Sequence, residues 1–271
     1  MTMTQKTVLC YGDSNTHGTR PMTRAGGLER FAHDERWTGV LAHALGSGWR
    51  VIEEGLPART TVHDDPIEGR HKNGLSYLHA CIESHLPVDV VVLMLGTNDL
   101  KTRFSVTPAD IATSVGVLLA EIAACGADPR GAAPQRVLMA PAPIVEVGFL
   151  GDIFAGGAAK SRQLAPLYAQ VAANAGAHFL DAGTVIEVSP IDGVHFAGPI
   201  SIARPGRAWR PCCGRSRHAP PRAEPRPAGF DRCAARATPL TRPVRSPPCP
   251  SPAGSPSARS HRPHRRAARA R

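Results

Sequence analysis

A serine that directly follows a short apolar segment is the first residue of this sequence that could carry chemistry. Ser14 ends the triplet Gly12-Asp13-Ser14, which comes after the apolar run 7–11. A serine hydroxyl is a poor nucleophile unless a neighbouring base removes its proton. A lone serine or aspartate in a strand-to-helix turn is more often a helix cap, so Ser14 becomes a candidate only in combination with suitable partners.

Such partners occur near residue 195, where a carboxylate precedes an imidazole by three positions in Asp192-Gly193-Val194-His195. In one tight turn, Asp192 can hold one ring nitrogen of His195 and leave the other nitrogen facing a pocket. These are the orienting and basic members of a catalytic triad. The alternative is a surface turn in which Asp192 and Gly193 supply only turn geometry.

A third candidate is Asn98, within Gly96-Thr97-Asn98-Asp99. Its side-chain amide could donate a hydrogen bond to an oxyanion that develops during acyl transfer, and each such donor contributes about 3 kcal/mol to the transition state. The alternative role is a turn or a helix cap, which asparagine often provides.

Apolar patterns predict the elements that would position these residues. The predicted strands are 7–11, 49–53, 88–95, 136–140 and 177–180. The predicted helices are 36–45, 73–85, a helix capped by Thr107 that runs to Gly126, and 160–175. Strands that alternate with helices predict an α/β domain over residues 1–196, with a parallel sheet and helices on both faces. Ligands bind at the carboxyl ends of such strands, which is where the candidate residues fall.

Taken together and in this order, Tyr11-Gly12-Asp13-Ser14, Gly96-Thr97-Asn98-Asp99 and Asp192-Gly193-Val194-His195 resemble the SGNH hydrolases, also called GDSL esterases. Segments 36–41 and 53–61 are similar to the arylesterase/acyltransferase branch of that family. The resemblance spans about residues 6–196. It implies a flavodoxin-like fold with a five-stranded sheet, and a serine esterase that acts on small acyl or aryl esters and could also transfer acyl groups to alcohols.

The resemblance also implies roles for individual residues. Ser14 would be the nucleophile, His195 the base, and Asp192 the carboxylate that orients it. The oxyanion hole would comprise the backbone N–H groups of Ser14 and Ala58 and the side chain of Asn98. Many members carry glycine where this chain has Ala58, so the N–H is kept while the methyl group narrows the acyl pocket. No metal or organic cofactor is implied, and a carbohydrate O-deacetylase of the same superfamily is the alternative function.

Partners and location are predicted from weaker signals. The loop 141–157 is rich in apolar side chains, namely Phe149, Leu150, Ile153 and Phe154. This loop could form a wall of the acyl site or a subunit contact. Similarity to oligomeric enzymes of the branch favours a homo-oligomer. The alternative is that the loop packs on its own domain.

No run of 18 apolar residues occurs and the first residues lack the apolar stretch of a signal peptide, so we expect a cytoplasmic protein without a membrane contact.

Residues 197–271 have a different composition from the rest of the chain. They hold 17 arginines, no lysine and two acidic residues, a net charge of +15, whereas residues 1–196 carry −5. The resemblance leads us to expect an amphipathic helix after Phe196, but the tail has no helical apolar stripe and proline interrupts it repeatedly. We therefore predict a disordered tail and an absent terminal helix.

Two interpretations of this tail compete. Clustered arginines could bind nucleic acid, which would make the chain a nucleic-acid-binding protein of another functional class. Alternatively, a shifted reading frame in a GC-rich gene would produce the same composition, since alanine, glycine, proline and arginine account for 51 of the 75 residues. The second interpretation fits better, because the change begins where a helix is expected.

Overall fold

The computed structural model describes residues 5–27, 29–125 and 133–198. Within these ranges one parallel sheet has the strand order β2-β1-β3-β4-β5. Its strands are β1 (Lys6–Gly12), β2 (Trp49–Gly55), β3 (Val90–Met94), β4 (Gln135–Ala140) and β5 (His178–Asp181). The helices are α1 (Ser14–His17), α2 (Trp37–Leu45), α3 (Gly74–His85), α4 (Pro108–Ala124), α5 (Gly157–Ser161) and α6 (Leu164–Asn174).

Helices cover both faces of this sheet, as the sequence predicts. All five residues of the central strand β3 are buried, which explains its uninterrupted apolar sequence. Leu9 and Tyr11 of β1 face a core that includes side chains of α3, α4 and α6. Val8 and Cys10 face the opposite core, which includes Trp37 of α2. The predicted α/β architecture is therefore confirmed.

Two helix starts follow from local hydrogen bonding. Thr107 and Asp110 form a reciprocal capping box at the first turn of α4, with Pro108 in the first helical position. Asn73 caps α3 by accepting hydrogen bonds from two main-chain N–H groups of its first turn. The predicted end of the α4 helix at Gly126 lies outside the described residues.

The single helix predicted over 160–175 is wrong, because the structure has α5 and α6 in this region. Pro166 has no N–H with which to bond the carbonyl of Arg162, and its ring would clash with that carbonyl in a continuous helix. The helix therefore restarts at Leu164, which places the proline in the first turn of α6.

The loop 141–157 packs on its own domain through several of its apolar side chains. Ile144, Leu150 and Phe154 are buried in the core shared with α3, α4 and α6, and Phe149 packs against that core, whereas Ile153 is 37% exposed. The predicted disorder of residues 197–271 concerns a segment that, from residue 199 onward, lies outside the described residues. Among the helices that are described, none is long and apolar enough to cross a membrane.

Candidate active site

Three of the candidate residues lie just after the carboxyl ends of three adjacent strands. β1 lies between β2 and β3, and Gly12 at the end of β1 pairs with Gly55 on one side and Met94 on the other. Ser14 and Asn98 follow β1 and β3 closely along the chain, and Ala58 follows β2. This edge is the position where a parallel sheet of this strand order binds its ligands.

Ser14 is the first residue of α1 and is almost completely buried. Asp13 caps this helix, since its Oδ1 accepts a hydrogen bond from the N–H of Asn15 at 2.9 Å. Gly12 allows the helix to begin so close to the strand, because a Cβ at that position would overlap the side chain of Thr16. Within the described ranges, no hydrogen bond joins the Ser14 hydroxyl to His195.

Asp192 and His195 form a buried pair, with Oδ2 of the carboxylate 2.7 Å from Nδ1 of the ring. The other oxygen of Asp192 accepts hydrogen bonds from the N–H groups of Val194 and His195 at 3.1 and 3.0 Å. Oδ2 also accepts one from the N–H of Met22 at 2.7 Å. Burial alone would raise the pKa of Asp192, but these bonds outweigh it and lower the pKa, so the group is an anion at neutral pH.

The turn that carries this pair is closed by main-chain hydrogen bonds. The carbonyl oxygen of Ser189 accepts a hydrogen bond from the N–H of Gly193 at 2.8 Å. The N–H of Ser189 donates a hydrogen bond to the carbonyl oxygen of His195 at 2.7 Å. Gly193 has a φ of 71°, and a Cβ there would overlap the carbonyl of Val145. Glycine is therefore required at this position by both conformation and space.

Asn15 connects that turn to α1. Its Nδ2 donates to the carbonyl of Val194 at 3.2 Å, and its Oδ1 accepts from the N–H of Phe196 at 3.2 Å. These are the two residues on either side of His195, so the imidazole is held next to the helix that begins at Ser14. Sequence reasoning missed Asn15, for which the only signal is its position directly after the candidate nucleophile.

Two of the three predicted oxyanion donors have no hydrogen-bond partner among the described residues, namely the backbone N–H groups of Ser14 and Ala58. The third donor is engaged: Nδ2 of Asn98 lies 3.1 Å from the carbonyl oxygen of Arg59 and 3.4 Å from Oδ2 of Asp13. The longer bond to Asp13 is the weaker of the two and the easier to exchange for a ligand.

Arg59 fixes the loop that carries Ala58, and sequence reasoning missed this role as well. Its guanidinium donates hydrogen bonds to the carbonyls of Gly12, at 2.9 Å, and of Glu54, and it stacks 4.1 Å from the ring centre of Tyr11. The arginine thus ties the ends of β1 and β2 together. Ala58 itself has a φ of 67°, a left-handed conformation that disfavours any residue with a Cβ.

Two groups of potential metal ligands occur in the described part of the chain, both on α3 and its neighbours. One comprises Glu54, Cys81 and His85, and the other His79, Glu121 and Cys125. Neither group includes a candidate catalytic residue. In the first, Nε2 of His85 lies 2.9 Å from a carboxylate oxygen of Glu54, and in the second, Nδ1 of His79 lies 2.6 Å from a carboxylate oxygen of Glu121.

Comparison with known proteins shows the family to which this chain belongs. The sequence profile described as the GDSL-like Lipase/Acylhydrolase family matches residues 10–198. No curated protein sequence matches significantly. The solved structure of the native M. smegmatis aryl esterase is 44% identical with a TM-score of 0.67, over 70% of this chain and 90% of that chain.

Two further solved structures come from Sinorhizobium meliloti. Est24, a carbohydrate acetylesterase, is 41% identical with a TM-score of 0.66, over 70% of this chain and 90% of that chain. A carbohydrate acetylesterase family member is 38% identical with a TM-score of 0.65, over 71% and 90%. The chain therefore belongs to the GDSL-like lipase/acylhydrolase family, the SGNH hydrolases, and is a carboxylic ester hydrolase.

Proposed function

We propose that this enzyme hydrolyses small acyl and aryl esters with Ser14 as nucleophile, His195 as general base and Asp192 as the orienting carboxylate. The observation that carries the proposal is the buried Asp192–His195 pair, whose turn is hydrogen-bonded to the helix that begins at Ser14. An ionised Asp192 stabilises the imidazolium that forms when His195 takes a proton.

In the proposed reaction, Ser14 Oγ attacks the ester carbonyl carbon while Nε2 of His195 takes the hydroxyl proton. The tetrahedral intermediate then expels the alcohol, which receives that proton, and an acyl-serine remains. A water molecule repeats the sequence, which releases the carboxylic acid and free Ser14. An alcohol in place of this water would give a new ester, which is the acyl transfer that we include in the proposal.

The oxyanion would be held by the backbone N–H groups of Ser14 and Ala58 and by Nδ2 of Asn98. The first two are unoccupied among the described residues, as an anion site requires. Asn98 would exchange its 3.4 Å bond to Asp13 for a bond to the oxyanion and keep its bond to the carbonyl of Arg59.

The direct test is ester hydrolysis by wild type and Ser14→Ala. We expect the variant to fold and to lose about a millionfold in kcat on an aryl acetate, because the nucleophile is gone. Wild type should also release a burst of the aryl alcohol equal to the enzyme concentration when deacylation is slow. A folded Ser14→Ala protein with normal turnover would remove Ser14 from the mechanism.

Carbohydrate O-deacetylation is the second candidate, since a solved structure of a carbohydrate acetylesterase is 41% identical to this chain, close to the 44% of the aryl esterase. The two functions are separated by comparing kcat/KM on an aryl acetate with kcat/KM on an acetylated oligosaccharide. A higher value on the sugar ester would replace the proposed substrate class but leave the residue roles unchanged.

We also propose a homo-oligomer in the cytoplasm. The loop 141–157 leaves three apolar side chains partly exposed: Val145, Val147 and Ile153. Apolar side chains grouped on one loop are typical of a subunit contact. Light scattering of wild type and Ile153→Asp would test this, since a charge in the contact should lower the measured mass.

A function of a different class, nucleic-acid binding, is proposed for the arginine-rich tail 197–271. Binding through arginines weakens steeply with salt, because each neutralised phosphate releases counterions. Salt-sensitive binding to an arbitrary DNA duplex that is lost when residues 197–271 are deleted would support this function. Absence of binding would leave the shifted reading frame as the explanation of the composition.

A further inference from the structure

The side chain of Asn15 is bonded as a peptide group would be in a strand ladder. Its amide N–H reaches the carbonyl of Val194 and its oxygen receives the N–H of Phe196, both at 3.2 Å. Asn15 is 4% exposed, so water does not compete effectively for these bonds. Both polar ends of this side chain are therefore committed to the segment that contains His195.

Two residues, Asp192 and Asn15, therefore hold His195 in place, and each fixes a different part of its position. Asp192 lies in the same turn as His195 and sets the orientation of the ring by its 2.7 Å contact with Nδ1. Asp192 has no hydrogen bond to α1 among the described residues; its contact outside the turn is the N–H of Met22. The hydrogen bonds between α1 and residues 194–196 come from Asn15, which is covalently next to Ser14.

We propose that Asn15 is a positioning residue that sets the separation between Ser14 Oγ and Nε2 of His195. The inference rests on the proposed function. Both polar ends of Asn15 are already bonded to the main chain, so we expect its loss to leave substrate binding intact and to slow the proton transfer. A misplacement of about 1 Å between reacting groups lowers the rate by about 10²-fold, and two lost bonds permit a shift of that size.

The test compares Asn15→Leu, Asn15→Asp and Thr107→Ala in the full chain. Asn15→Leu removes both bonds at similar side-chain volume. Asn15→Asp keeps the acceptor for the N–H of Phe196 but sets an oxygen against the carbonyl of Val194. Thr107→Ala is the matched control, because it breaks the capping box of α4 and destabilises the fold away from the site.

Three quantities are measured: kcat, KM for an aryl acetate, and the rate at which a fluorophosphonate labels Ser14. For Asn15→Leu we expect kcat and the labelling rate to fall together by about 10- to 100-fold, with KM within about threefold of wild type. Asn15→Asp should lie between Asn15→Leu and wild type. Thr107→Ala should lower the melting temperature and change neither rate.

A folded Asn15→Leu protein whose kcat and labelling rate stay within about twofold of wild type would overturn the inference. A rise in KM at constant kcat would do the same, since it would assign Asn15 to substrate binding. If Asn15→Leu does not fold, Asn15→Asp decides by the same criteria. Normal turnover by Ser14→Ala would refute the proposed function itself, whereas an inactive Ser14→Ala with a normal Asn15→Leu would refute only this inference.

Discussion

Oδ2 of Asp13 lies 3.4 Å from the amide nitrogen of Asn98, so the residue before the proposed nucleophile contacts a proposed oxyanion donor. The other oxygen of Asp13 accepts the N–H of Asn15. Burial raises the pKa of Asp13 to about 6, despite opposing contributions from that hydrogen bond, from the charge of His195 and from Thr97. The site thus contains a carboxyl group that changes its protonation state near neutral pH.

Asp13 should steepen the acid side of the pH–activity profile. Below about pH 6 the carboxyl gains a proton, becomes a weaker acceptor for Asn15 and Asn98, and loosens both the helix cap and the amide. We expect log kcat/KM of wild type to fall more steeply below about pH 6 than that of a variant whose residue 13 does not titrate.

Asp13→Asn isolates this effect because an amide does not titrate. The variant should have a lower kcat/KM at neutral pH and an acid limb that is less steep than that of wild type, which initial rates on an aryl acetate from about pH 5 to 8 would measure. Identical slopes for wild type and variant would show that Asp13 does not take part in the titration.

Asn98→Ala should reduce kcat by about 10²- to 10³-fold with little change in KM, because the amide is used only when the oxyanion forms. Asn73→Ala is a control of the same residue type: it removes the cap of α3, lowers stability by about 1 kcal/mol and should leave kcat unchanged. If kcat of Asn98→Ala is close to that of Asn73→Ala, Asn98 is not an oxyanion donor and only hydrogen-bonds the carbonyl of Arg59.

Asp192→Asn should lower kcat by about 10⁴-fold, since an amide favours the wrong tautomer of His195. The variant should also be less stable at pH 7. The folded-state pKa of Asp192 is lowered, so the ionised carboxylate stabilises the fold above its ordinary pKa of 3.8, and this contribution is lost as the pH falls through the folded-state value. Urea unfolding should therefore show a stability difference between wild type and variant that narrows on acidification.

Local sequence signals were sufficient for most of the fold. The apolar run of β3 and the cap at Thr107 each mark an element through neighbouring residues, and the structure has both. The candidate residues meet because parallel strands place their carboxyl ends together. The division of 160–175 into α5 and α6 also had a local signal, Pro166, which the helical apolar pattern obscured.

Asn15 and Arg59 could not be assigned from the sequence for a physical reason. Their hydrogen-bond partners are main-chain carbonyl and N–H groups, which every residue carries and which therefore leave no mark in the sequence. Asn15 reaches Val194 across 179 positions, and Arg59 reaches Gly12 across 47. Only the folded chain shows which of the many main-chain groups face these side chains.

Ala58→Gly should relieve backbone strain at the proposed oxyanion hole. A left-handed φ of 67° disfavours alanine by about 1–2 kcal/mol, and the greater freedom of glycine in the unfolded chain offsets about half of the gain. We therefore expect a stability increase of up to about 1 kcal/mol. The N–H donor is retained, so turnover of an aryl acetate should remain close to that of wild type.

Loss of the Ala58 methyl group should also widen the acyl pocket and raise kcat/KM for an aryl butyrate relative to the acetate. Ser105→Gly is the matched control, because Ser105 is the other non-glycine residue with a positive φ in the described ranges, at 53°. It should bring a similar backbone gain without altering the butyrate-to-acetate ratio. Melting temperatures and the two ester rates measure both effects. An unchanged ratio in Ala58→Gly, or an equal shift in Ser105→Gly, would mean that the methyl group of Ala58 does not border the acyl group.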